Sequence, residues 1–244
     1  SIDSRPTGRD AGPRRNRFPS SFAPSVAMRI LFTSHDPLDT PGSGTLVDGW
    51  TQRLAAAGHQ VRVLCVEGLP HDEQESHVRR VFCHPTDRRA PLRLARPALN
   101  GSDPTTRHFT SLSDRELADY RDVLRVELDR EIDLYDPCIV HVQHLWLFGH
   151  LVLEAGAPYV VSAHAAEFAA DGVDRRFRRY MQEAAENACR IFTHDPAAHS
   201  GVSKLVGDLE GRVVAPAPAV DDLPHIYRDA LNERFGRLPP NCDR

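Results

Sequence analysis

MRILFTSHDPLDTPGSGTLVDGWTQRLAAAGHQVRVLCVE, residues 28–67, decides how this chain is read. Its opening run, Arg29 to Thr33, has an apolar centre of Ile30, Leu31 and Phe32 without polar alternation, as in a strand covered on both faces of a parallel sheet. Pro37, Pro41, Gly42 and Gly44 then break the strand, and the two glycines free the backbone for positive φ or for close approach to a ligand. Thr45 is placed to cap a helix whose Leu46, Val47, Trp50 and Leu54 share one face, with Gly58 suited to the left-handed position past its end. Val61, Val63 and Cys65 make a second strand, completing a βαβ unit with a right-handed crossover. Ligands in such sheets bind beyond the carboxyl ends of the strands, so Ser34 to Thr45 is the first place to expect a site.

The alternation continues outward from this unit. Val78 to Cys83 can supply a third strand, and His84 to Phe109, with Pro85, Pro91, Pro97 and Pro104 and no usable period, reads as a long excursion over the carboxyl edge of the sheet. Ser113 and Glu116 form a capping box ahead of Leu117, Tyr120, Leu124, Leu128 and Ile132 at helical spacing. Strands at Cys138 to Val142 and Tyr159 to Ala163 bracket a short helix ended by Gly156. A helix from about Asp174 to Ala188, a strand at Ile191 to Thr193, a helix started by Asp195 and Pro196, and a strand at Val213 to Ala215 complete a doubly wound α/β domain with a mostly parallel sheet. Residues 1–27 carry five arginines and four prolines with almost no periodic apolar residues, and read as a disordered basic arm or a tag.

The chain has 244 residues and a net charge of −4, so no global basic field points to nucleic acid or to an anionic membrane. Five cysteines, odd in number, widely spaced and mostly inside expected strands or helices, fit a reducing, cytoplasmic setting. There is no apolar run of about eighteen residues for a transmembrane helix, and no apolar h-region for a secretory signal.

The succession MRILFTSHDP, GSG with a helix ending AAAGHQVRVL, YDPCIVHVQHLW, and GAPYVVSAHAAEF resembles the N-terminal half of a GT-B glycosyltransferase of the retaining GT4 family. SDPTTRHFTSLSDRELADY and RVVAPAPAVDD add to the likeness, which spans about residues 28–238. The resemblance implies a Rossmann-like acceptor-side domain over residues 28–221, with residues 222–244 as a linker helix and tail leading to a donor domain supplied elsewhere. It implies a sugar transferred from a nucleotide-sugar donor, with no other cofactor, to a sugar or small-molecule acceptor, and a chain that is inactive alone.

Residue by residue, His164 matches the histidine of the family's Thr-His-Gly pattern and is the expected contributor to chemistry, although Ala165 replaces the usual glycine and Glu167 stands where an aspartate is common. Ser34, His144 and Glu167, at carboxyl ends of strands, are the expected acceptor contacts. Gly42, Ser43, Gly44 and Thr45 could by themselves just make a tight turn, but with the resemblance they are the expected contacts of a donor diphosphate through backbone N–H groups.

Other readings are weaker. A dinucleotide-binding oxidoreductase lacks its third glycine, since Val47 occupies that position. A hydrolase lacks the G-x-S-x-G elbow. His141 and His144 as a metal pair would point to opposite faces of a strand and lack further ligands, so no metal is expected. A non-catalytic acceptor-binding or partner subunit stays open as an alternative.

Overall fold

The computed structural model describes residues 27–70, 75–99, 105–169, 175–207, 209, 211–239 and 242. The expected loose arm at residues 1–27 therefore lies outside the described residues, Ala27 apart. Seven parallel strands form the main sheet in the order β3-β2-β1-β6-β7-β8-β9. They are β1 (Arg29–Ser34), β2 (Gln60–Glu67), β3 (Val78–Phe82), β6 (Ile139–Gln143), β7 (Tyr159–Ala163), β8 (Ile191–Thr193) and β9 (Val213–Val214). A separate parallel pair, β4 (Arg96–Ala98) and β5 (Thr106–His108), completes the set. The doubly wound, Rossmann-like expectation holds.

Alternation along each strand sorts the side chains into two layers. Leu31, Leu64, Val66, Val140, Val142, Val161 and Ile191 face α2 (Asp114–Tyr135), α3 (His150–Ala155), α4 (Arg175–Asn187) and α5 (Pro196–Val206). Ile30, Phe32, Val63, Ile139, Val160 and Phe192 face α1 (Ser43–Ala56) and α6 (Leu223–Phe235). Helix α6, which falls within the segment expected to act as a linker, packs as a layer on this side of the sheet. Leu223, Tyr227 and Leu231 of α6 are 0% exposed, and burying side chains of this size contributes roughly 1.5–3 kcal/mol each.

Local capping follows the sequence. The Ser113 hydroxyl accepts from the Glu116 N–H while the Glu116 carboxylate accepts from the Ser113 N–H. Asp195 caps α5 and Gly156 ends α3 in the left-handed region. Two expectations need correction. Helix α1 starts three residues earlier than expected, with Gly42 rather than Thr45 as its N-cap at φ 99°, so Thr45 sits inside the first turn and its hydroxyl accepts from the Gly42 N–H. The aperiodic stretch His84 to Phe109 does not merely pass over the edge. It buries Leu92, Leu94 and Phe109 in the core and supplies β4, whose short length leaves no readable period.

The strand order reverses between β1 and β6, because β1, β2 and β3 grow one way before the chain returns to the other side of β1. That reversal opens a crevice beyond the carboxyl ends of β1 and β6.

Candidate functional site

The crevice is filled by polar side chains. Where β1 ends, the Ser34 hydroxyl accepts from the Asp36 N–H at 3.0 Å and turns the chain outward. His35, 1% exposed, has Nε2 3.1 Å from the Trp146 carbonyl and Nδ1 2.8 Å from the Tyr120 hydroxyl. A carbonyl can only accept, so Nε2 carries the proton and Nδ1 accepts from the phenol. Burial, together with the charge of His144, pushes the His35 pKa down to about 3. Asp36 accepts from Arg96 Nη1 at 3.0 Å through one oxygen and from the Ser43 hydroxyl at 2.6 Å through the other. Burial works to raise its pKa, but these donors and His144 outweigh it and hold the group ionised, well below the usual carboxylate range.

Where β6 ends, His144 sits at φ 73° and ψ 137°, a backbone region that costs a non-glycine residue roughly 1–3 kcal/mol. The twist places its ring between two carboxylates. Nε2 lies 3.9 Å from Asp36 and Nδ1 3.7 Å from Glu167, within ion-pair range but too long for hydrogen bonds. Burial opposes the charge, yet the two carboxylates prevail and raise the pKa to about 9. His144 is a buried imidazolium.

Glu167, 1% exposed, lies in the short 3-10 turn Ala165–Phe168 after β7. Its carboxylate accepts from the backbone N–H of His164 at 2.9 Å and of Leu145 at 2.5 Å, clamping the ends of β7 and β6 together. His164 is half-buried, with Nε2 2.9 Å from the Gln143 side-chain oxygen. With the Gln143 amide oxygen turned to the ring, Nε2 is the donor and Nδ1 the acceptor. Burial, reinforced by the charge of His144 and by His194, pushes its pKa down to about 2. His164 is therefore neutral beside a cation, its ring 4.7 Å from that of His144 and stacked 4.9 Å from that of His194.

The structure thus brings together His164, His144, Glu167 and, through Asp36, Ser34 and Ser43. Ser34 is 0% exposed and serves the turn, while Glu167 and His144 form the buried frame beneath His164. Gly42 and Thr45 lie exposed on the rim, whereas Gly44 is buried. A Cβ on Gly44 would stand 1.9 Å from the Pro37 carbonyl oxygen, so close backbone packing requires glycine there. Sequence reading missed His35, Asp36, Arg96 and His194. The first two directly follow β1 in the expected site loop and were legible by position. Arg96 is 6% exposed and comes from the aperiodic stretch, which offered no signal.

Beside the cluster, at the carboxyl ends of β8 and β9, a cavity of about 380 Å³ is lined by Thr193, His194, Asp195, Pro196, His199, Ala215 and Pro216. Larger cavities of about 550 and 650 Å³ lie between α4 and α5 and along the β3 edge. The convergent polar groups belong to the crevice.

No helix among the described residues is long and apolar enough to cross a membrane. Among curated proteins none matches this chain. Of solved structures, a sucrose-phosphate synthase from Thermosynechococcus elongatus matches at 16% identity with TM-score 0.52, covering 79% of this chain and 48% of that one. A UDP-GlcNAc 2-epimerase from Methanocaldococcus jannaschii matches at 7% identity with TM-score 0.47, covering 84% of this chain and 50% of that one. The chain spans about half the length of the solved structures it matches. The first likeness carries the fold, a parallel sheet layered with helices. The family model described as Glycosyltransferase Family 4 matches residues 41–213, which include α1, the His144 turn, the His164 turn and the His194 edge of the crevice. The chain belongs to Glycosyltransferase Family 4.

Proposed function

We propose that this chain forms the acceptor-side half of a nucleotide-sugar-dependent glycosyltransferase, with the donor held chiefly by a domain supplied elsewhere. The observation that carries this reading is the His164 imidazole. It stands at the carboxyl edge of the sheet, neutral, with Nε2–H held by Gln143 and Nδ1 as the ring's acceptor. A sugar hydroxyl can donate to Nδ1, which orients its oxygen for attack at the anomeric carbon. A group with so low a pKa is a poor proton acceptor, so His164 orients the acceptor and the hydroxyl proton leaves by another route, such as the departing phosphate. The imidazolium of His144 adds a fixed positive charge in a water-poor site, where such a charge acts more strongly than in water. The Ser43 turn, anchored to Asp36, lies on the rim where a donor diphosphate would approach the start of α1.

Calorimetry of the chain with a panel of nucleotide sugars and of free sugars tests this division. The expected result is binding of an acceptor sugar and negligible affinity for nucleotide sugars. Micromolar binding of a nucleotide sugar by this chain would place the donor site here and overturn the assignment of halves.

A further inference from the structure

The crevice is joined to α6 by a continuous file of buried hydrogen bonds. Tyr227 of α6, 0% exposed, has its hydroxyl 2.5 Å from His141 Nδ1. The other ring nitrogen, His141 Nε2, lies 2.9 Å from the Ser162 hydroxyl, and that hydroxyl lies 3.2 Å from His194 Nε2. His141 and Ser162 are both 0% exposed, and the His141 ring is enclosed by Phe32, Trp50 and Phe192. The file ends at His194, which lines the cavity of about 380 Å³ and stacks on His164 with 9° between the ring planes.

Such a file can run in two directions. In one, Tyr227 donates to His141 Nδ1, His141 Nε2–H donates to Ser162, and Ser162 donates to His194 Nε2. Every hydrogen between Tyr227 and His194 Nε2 then has an acceptor, and the His194 Nδ1–H is the donor left over at the cavity. In the other direction His194 Nε2–H donates to Ser162, Ser162 to His141 Nε2, and His141 Nδ1–H to the Tyr227 oxygen. The phenolic hydrogen is then left buried with no acceptor among the described residues, which is the costlier arrangement. Burial keeps the phenol protonated and the two imidazoles neutral, so the hydrogens are all present to be placed.

We infer that Tyr227 is a positioning residue that, through His141 and Ser162, fixes His194 in the Nδ1–H form and thereby presents a hydrogen-bond donor at the cavity. The group it would meet is a ligand oxygen, a sugar hydroxyl or a phosphate. That ligand class rests on the proposed function, whereas the tautomer does not. The stack also couples the two Nδ1 atoms: His164 offers an acceptor and His194 a donor on adjacent rings, a pair suited to one hydroxyl or to neighbouring ones. Because α6 carries the tyrosine, the helix beyond the family-matched residues sets a hydrogen-bond polarity inside the crevice.

Two-bond proton–nitrogen NMR correlation of the 15N-labelled protein reads both histidines directly, without any substrate. At pH 7 the expected pattern is His141 protonated on Nε2 and His194 on Nδ1. Finding His141 on Nδ1 and His194 on Nε2 would mean the file runs backwards and would overturn the inference. Tyr227→Phe removes the donor that sets the direction, so His194 is expected to become a mixture of the two forms. An unchanged His194 in a folded Tyr227→Phe protein would remove Tyr227 from the role. Ser162→Ala cuts the file in the middle and should move His194 toward the Nε2–H form that free imidazole side chains prefer, while His141 keeps its proton on Nε2. A His194 indifferent to that cut would likewise overturn the inference.

Discussion

The carboxylate of Glu167 lies 3.7 Å from the His144 imidazole while accepting the backbone N–H groups that follow β6 and β7. One buried side chain thus holds two strand ends and a cation. Removing it leaves the N–H groups of Leu145 and His164 without a partner and the charge of His144 facing Asp36 alone in a dry interior. Glu167→Ala should cost about 3–5 kcal/mol, the range for breaking one side of a buried pair. Glu167→Gln keeps an acceptor oxygen and should cost less. Urea denaturation of the two variants measures both, and a loss below about 1 kcal/mol for Glu167→Ala would mean the clamp does not hold the edge.

Stability should peak at about pH 7 and fall on both sides, because more histidines are lowered than raised. The His144 pKa is raised from 6.5 to about 9, so the stability it contributes is complete below about 6.5 and is lost as pH rises through 9. His35 and His164 are lowered from 6.5 to about 3 and about 2, so the unfolded chain takes up their protons first and stability is lost as pH falls below 6.5. Asp36, also lowered, adds to the acid side, where its contribution fades as pH drops through its folded value. Each net proton of difference tilts stability by about 1.4 kcal/mol per pH unit. Urea midpoints from pH 5 to 9 trace the curve, and His144→Gln should flatten the alkaline limb and, by removing the charge that helps depress His35 and His164, soften the acid limb as well. A midpoint that climbs steadily to pH 9 would contradict the assignment of His144 as a buried cation.

The two glycines of the rim should fail in different ways. Gly44→Ala drives a Cβ into the Pro37 carbonyl at 1.9 Å, and a backbone oxygen cannot move aside as a flexible side chain would. Gly42→Ala meets no atom within 4 Å, so its cost is only the backbone conformation at φ 99°, roughly 1–3 kcal/mol. Thermal unfolding should show Gly44→Ala as the more damaging. Ser43→Ala, which removes the hydrogen bond to Asp36 without a clash, is the cleaner probe of a phosphate contact at this turn. Equal stability of the two glycine variants would mean that α1 can withdraw from Pro37.

The fold was legible because most of its strands are apolar runs buried on both faces and its helices carry local signals, such as Ser113 with Glu116 and Asp195 before Pro196. The site was legible only where a side chain follows a strand directly, as His144 and His164 do. Their surroundings were not. The positive φ of His144, which turns its ring between two carboxylates, is a conformation that no residue type announces. Asp36 and Arg96 meet across 60 positions of sequence, and His141 meets Tyr227 across 86, so both pairings exist only once the sheet has formed. Gly44 carried two readings in the sequence, and only the nearness of Pro37 separates packing from ligand approach.

His164 should matter for turnover without acting as an acid or a base. Its pKa of about 2 keeps it neutral across any working range, and Gln143 holds its Nε2–H, so Nδ1 can only accept. In the complete enzyme His164→Ala should lower kcat by about a hundredfold or more, the scale of a lost orienting or electrostatic group. His164 is half-buried and its side chain is hydrogen-bonded to Gln143 rather than paired with a charge, so the same substitution should leave the urea midpoint little changed. His164→Asn, whose amide oxygen on Cγ can stand in for Nδ1, should recover part of the loss, as a merely space-filling role would not. The pH dependence separates orientation from proton transfer. If His164 shuttled a proton, the rate profile would carry a limb in the ordinary histidine range near 6.5 that disappears in the variant. With Nδ1 as acceptor, the profile keeps its shape and only its height falls. Full activity of His164→Ala would leave the acceptor to be oriented from the His194 side of the crevice.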